Sequence, residues 1–104
     1  MNEDTKVAFE VIFHAGNGKT AAMSAMDEAE KGNFEKAEEL MIEAENEANQ
    51  AHLVHKSLLD RIVNGENVEA DLFMTHALDH MTSAEDMIIV AQRFISLYKK
   101  IGGK

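Results

Sequence analysis

The chain has 104 residues and is read as one domain over residues 1–104, because a single core is the usual solution at this size. It has no cysteine, which excludes both a disulfide framework and a thiolate nucleophile. Nineteen acidic side chains against ten basic ones give a formal charge of −9, which argues against nucleic acid or an anionic membrane surface as partner and favours a basic protein.

Alanine, glutamate, leucine, methionine and lysine dominate and proline is absent, so long helices are expected. The first helix is predicted over about residues 3–31. Ala8, Ile12, Ala15, Ala22, Met26 and Ala29 form its apolar stripe, which Lys19 interrupts. Gly16 and Gly18 weaken this helix by roughly 1 kcal/mol each relative to alanine. A break at "KGNFEKAEEL" follows, with Asn33 as candidate cap for the second helix, about residues 34–63. Its stripe runs through Ala37, Met41, Ala44, Ala48, Ala51, His55, Leu58 and Ile62. "VNGENVEADL" supplies the next break, with Asn67 as candidate cap for a third helix over about residues 68–101. There the stripe is Phe73, Ala77, His80, Ala84, Met87, Ala91, Phe94 and Tyr98.

Short connections between antiparallel neighbours predict an all-α, up-down-up three-helix bundle. A second stripe on the third helix, Leu72, Asp79, Asp86, Val90 and Leu97, predicts burial on several sides and hence self-association with cyclic symmetry. Carboxylates of Asp79 meeting near such an axis would need protonation or a cation to offset their repulsion. No apolar run approaches the roughly 20 residues that cross a bilayer, and "MNEDTKVAFEV" does not look like a secretory signal, so a cytoplasmic protein without membrane insertion is expected.

With the turns centred near residues 32 and 66, His55 is expected level with Ala77, and His52 with His80 and Ile12. His14 falls within a turn of them, so all five histidines gather at one level. One buried histidine is ordinarily a hydrogen-bonded core residue; His52, His55, His76 and His80 together call for partners. Two chemistries suit them. A His-x-x-Asp-His run can ligate a metal, and a neutral imidazole oriented by its neighbours can act as a nucleophile that accepts a phosphoryl group. Spacing alone does not choose between them.

"HAGNGKTAAMSAMDEAEKGNFEKAEELMIEAENEANQAH", followed by "GENVEADLFMTHALDHMTSAED", resembles the lactose/cellobiose-type IIA component of the bacterial sugar phosphotransferase system. The resemblance covers about Val7 to Tyr98. It implies a homotrimer of three-helix protomers, nine helices in all. It also implies a phosphocarrier that takes a phosphoryl group from HPr and gives it to a cysteine of the IIB component. The phosphoryl-accepting histidine corresponds to His76, with His80, His55 and His52 as candidate support. The aspartate at the trimer axis corresponds to Asp79 and would hold a divalent cation, Mg2+ being the first expectation; the transfer itself needs no cofactor. The family pattern is altered at Leu78, His55 and Lys56, where glutamine, glutamine and threonine are usual, and at Thr75, usually apolar. The sugar, whether lactose, cellobiose, chitobiose or another oligosaccharide, is left open. The competing reading is a non-catalytic regulatory bundle that binds metal through His52, His55, His76 and His80.

Overall fold

A computed structural model describes residues 3–68 and 72–102, which form three helices. They are α1, Glu3–Glu30; α2, Phe34–Val63; and α3, Leu72–Gly102. They pack side by side, up-down-up, in a slab of 57 × 23 × 18 Å. No helix among the described residues is long and apolar enough to cross a membrane.

The two helix ends that carry the turns use the same device. Gly32 and Gly65 both adopt φ = 86°, the left-handed region that glycine reaches without a Cβ penalty. At the first turn the Asn33 amide N–H donates to Glu28 O at 2.9 Å; at the second the Glu66 N–H donates to Arg61 O at 3.0 Å. Each bond closes a Schellman cap and satisfies a helix-end carbonyl. Asn33 holds the N-cap position of α2, but its side chain donates to Glu28 Oε2 at 2.8 Å and makes no cap bond. Asn67 lies outside the described helices, of which α3 is described from Leu72; the expected start of the third helix near residue 68 falls on residues 69–71, which lie outside the described residues.

The core departs from the expected bundle in one respect that matters. α1 lies between the other two helices, and α2 and α3 touch only along a narrow strip. α1 therefore contributes buried residues along its whole length, from Ala8 and Val11 to Ala25 and Ala29. Gly18 belongs to that seam: a Cβ there would sit 3.1 Å from Ala44 O and 3.4 Å from the Ala48 nitrogen. Its absence lets the backbones of α1 and α2 approach, so the glycine read as a weakness is a packing requirement. Buried positions are mostly alanine, and the largest side chain fully buried is Val11.

On α3 the buried stripe is Met74, Ala77, Met81, Ala84, Ile88, Ala91 and Ile95. It is rotated from the predicted one, since Phe73 and Phe94 are exposed and His80, Met87 and Tyr98 only half-buried. On α2, Ile62 is exposed and His55 half-buried, while Ala37, Met41, Ala44, Ala51 and Leu58 are buried as expected.

Gly16 and Gly18 are expected to respond in opposite senses. Nothing lies within 4 Å of a Cβ at Gly16, so Gly16→Ala should stabilise the fold by about 0.5–1 kcal/mol. Gly18→Val should cost about 1–3 kcal/mol by forcing α1 from α2. Urea denaturation of the two variants checks this; equal effects would mean that the close approach carries no energy.

Candidate functional site

The first half of α3 is held to α1 from one side. The Phe73 ring packs against Phe9 with centroids 5.1 Å apart, and the Lys19 ammonium donates to Ser83 Oγ at 2.9 Å. Lys19, which interrupts the apolar stripe of α1, thus reaches across to α3. Between these ties Ala77 and Met81 are buried, while His76 and Asp79 are exposed and His80 half-buried.

His76 and His80 stand one turn apart on the same flank, as residues four apart on a helix must. Their Nε2 atoms are 3.0 Å apart, and the rings meet nearly at right angles, 86°, with centroids 4.4 Å apart. One Nε2 donates and the other accepts, so the accepting ring carries its proton on Nδ1. Each ring fixes the other's tautomer, and an imidazole with a free, oriented lone pair is a competent nucleophile or ligand. Asp79 makes no hydrogen bond or ion pair among the described residues. It lies on the face of α3 opposite the buried stripe, along with Leu72, Val90 and Leu97, which are 80%, 43% and 48% exposed.

The other histidines lie elsewhere. His14 Nδ1 bonds Glu47 Oε2 at 2.7 Å on the seam between α1 and α2. His52 lines a shallow hollow with Glu45, Asn49, Glu85, Ile88 and Ile89. His55 lines a second, apolar hollow of about 160 Å³ between α2 and α3, with Leu58, Ile62, Met74 and Leu78 among its neighbours.

The expected single level fails because the register of α2 against α3 is shifted. Gln92 Nε2 donates to Glu45 Oε1 at 2.7 Å, and Lys99 pairs with Glu38. Counting along from these pairs brings His52 level with Glu85, about five residues or ~7.5 Å beyond His80. Within one chain the structure joins His76 to His80 and brings neither His52 nor His55 into contact with them. Among the described residues no group of three or more His, Asp or Glu is placed to hold a metal ion.

His55 has its pKa lowered from the usual 6.5, mainly by burial and secondly by nearby His52, with Glu85 opposing. Its neutral form suits the fold.

Residues 6–99 match the family described as "PTS system, Lactose/Cellobiose specific IIA subunit". The chain is 36% identical over 102 residues to the lichenan-specific phosphotransferase enzyme IIA component of Bacillus subtilis, covering 97% of this chain and 93% of that one. It is 32% identical over 99 residues to the lactose-specific EIIA component of Lacticaseibacillus casei, covering 95% and 88%. The crystal structure of the PTS cellobiose-specific enzyme IIA from Bacillus anthracis superposes with a TM-score of 0.97 at 33% identity, covering 100% of this chain and 95% of that one.

The lowered pKa of His55 sets the sign of a pH effect. The unfolded chain binds this proton more readily, so the contribution of His55 is complete above pH 6.5 and is lost as pH falls through the folded value. Between about pH 8 and about pH 5.5, the guanidinium midpoint of the native protein should fall further than that of His55→Gln. Parallel curves for the two proteins would remove His55 as the cause.

Proposed function

The chain belongs to the lactose/cellobiose-specific IIA family of the sugar phosphotransferase system, and on that premise we propose that it carries a phosphoryl group on Nε2 of His76. Components of this family are phosphotransfer proteins of sugar uptake. The observation that carries the residue-level reading is the 3.0 Å contact between His76 Nε2 and His80 Nε2 on an open flank of α3.

The chemistry follows from that contact. His80 donates its Nε2–H, so His76 keeps its proton on Nδ1 and presents the Nε2 lone pair. That lone pair attacks phosphorus in line as the N–P bond of phospho-HPr breaks, and the HPr imidazole leaves neutral. The His80 N–H turns from His76 to a phosphoryl oxygen as phosphorus approaches, which frees that lone pair for the attack. In the second transfer the His76 N–P bond breaks as a bond forms to the IIB cysteine sulfur. Positioning and charge stabilisation do the work, as is usual for phosphoryl transfer. His76 is exposed, so either partner can reach it. The charge of −9 favours a basic donor protein. The site so drawn uses His76 and His80 and leaves out His52 and His55.

The assembly reading is a homotrimer. α3 turns Leu72, Val90, Phe94, Leu97 and Ile101 outward, and α1 adds Phe9, Phe13 and Met23, more apolar surface than isolated exposed residues account for. Threefold packing of these faces would bring three unpaired Asp79 carboxylates together. A divalent cation of the Mg2+ type, with its preference for oxygen ligands, would offset their repulsion. Asp79 suits this role, since among the described residues it has no hydrogen-bond or ion-pair partner.

The names of relatives range over lichenan, lactose and cellobiose, so the carrier fits a range of oligosaccharide systems, with sugar choice left to the membrane component. The competing metal-binding bundle needs His52, His55, His76 and His80 in one cluster, and the fold divides them among three places.

Two measurements check this reading. Incubation with phosphoenolpyruvate, enzyme I and HPr should add one acid-labile phosphoryl group per chain by intact mass. His76→Ala should add none, and His80→Gln should slow uptake roughly tenfold to a hundredfold. Normal uptake by His76→Ala would sink the assignment. Light scattering should give three chains for the native protein and smaller species for Leu97→Asp, which puts a charge on the outward face of α3. A native monomer would end the trimer reading.

A further inference from the structure

We infer that His76 and His80 form a two-nitrogen site for a divalent transition-metal ion of the Cu2+ or Ni2+ class, and that this ion and a phosphoryl group exclude each other at His76 Nε2. The chelate stands on geometry alone; the exclusion rests on the phosphocarrier reading.

Two histidines four apart on one helix face can share a metal ion, and here the side chains are already drawn together. Two metal–nitrogen bonds of about 2.1 Å meeting at a right angle put the nitrogens ~3.0 Å apart, whereas a tetrahedral angle needs ~3.4 Å. The Nε2 atoms are 3.0 Å apart in the hydrogen-bonded pair and the rings can turn, so both bites are within reach, and the preference for Cu2+ rests on the affinity order of divalent ions at imidazole nitrogen. Imidazole nitrogen suits Cu2+ and Ni2+ and does not suit Mg2+, so this site is distinct in chemistry from a carboxylate site at Asp79. His76 is exposed and His80 half-buried, and among the described residues neither ring is hydrogen-bonded to anything else, so both can turn.

Binding is balanced simply. The proton on His80 Nε2 moves to its Nδ1, both Nε2 lone pairs go to the ion, and the hydrogen bond between the rings is replaced by two coordinate bonds. No net proton is released. The lone pair that would attack phosphorus is then occupied.

His52 and His55 supply an internal control. They are three apart on α2, and among the described residues they share no hydrogen bond or ring contact.

Titration calorimetry of tag-free protein with copper or nickel chloride should show one ion per chain, copper the tighter, with zinc weaker than copper. His76→Ala and His80→Ala should each weaken binding by roughly tenfold to a hundredfold. The double variant His52→Ala/His55→Ala should bind as the native protein does. Native affinity in either single alanine variant, or loss in the double variant, overturns the site. Saturating nickel should stop phosphoryl uptake from phospho-HPr, and EDTA should restore it; full uptake at saturation overturns the exclusion. A protein that takes up no phosphoryl group even without metal refutes the phosphocarrier reading, and the calorimetry still decides the chelate.

Discussion

The structure depends on how closely α1 can lie against its two neighbours. Small side chains permit it: alanines line the seams, and at Gly18 the missing Cβ leaves room for the Ala44 carbonyl. Close backbones gain dispersion contacts along the full length of a helix, but each alanine removes little apolar area from water. The bulky side chains are displaced outward in consequence. Phe9, Phe13, Phe73 and Phe94 are all exposed, while Val11 is the largest side chain fully buried. A protomer built this way has tight seams and apolar outer faces, and the same alanines that let α1 sit in the middle leave α3 with a face to cover.

This arrangement also sets the character of the site. α3 is anchored along one edge by the Phe9–Phe73 stack and the Lys19–Ser83 bond, and along the other by the Glu45–Gln92 and Glu38–Lys99 pairs. Between those edges its outer face is free. His76 and His80 lie on the α1 edge of this rigid element, between the directions of Phe73 and Ser83, with their backbones fixed, His76 exposed and His80 half-buried. The paired rings need no further residue to choose a tautomer. Fixed spacing on a helix makes the contact, and the contact makes the lone pair available.

Much of this was legible in the sequence, and the failures share a cause. Helix number and the turns at Gly32 and Gly65 followed from punctuation, and the His76–His80 neighbourhood from a spacing of four. The apolar template, however, counts phenylalanine and alanine alike. On α3 it drew the stripe through Phe73 and Phe94, because bulk normally marks the core. Here the core wants small residues, so the true stripe runs through Ala77, Ala84 and Ala91 with Met74, Met81, Ile88 and Ile95. For the same reason Gly18 and Lys19 read as interruptions, though one is the point of closest approach and the other a tie to α3. The gathering of five histidines failed on register: the pairs Glu45–Gln92 and Glu38–Lys99 set α2 along α3 by about five residues, more than a helical turn, from the expected level.

That shift changes how the departures from the family pattern are understood. His55 and Leu78, two of the altered positions, line one apolar hollow between α2 and α3. Leu78 is two residues, or about 200° of helix rotation, from His76, so it faces away from the open flank. The two substitutions are therefore neighbours of each other. Exchanging polar glutamine for leucine at one and for a half-buried, neutral-favouring imidazole at the other makes a single local change, an apolar contact where the family pattern is polar. Such a change acts on how α2 and α3 close over that hollow and on whatever surface they present there. The nitrogen pair on the far side of α3 is built from residues that keep the family pattern, and its geometry does not pass through the altered ones. Two of the four departures, His55 and Leu78, thus share one groove, while the His76–His80 pair lies on another face of the same helix.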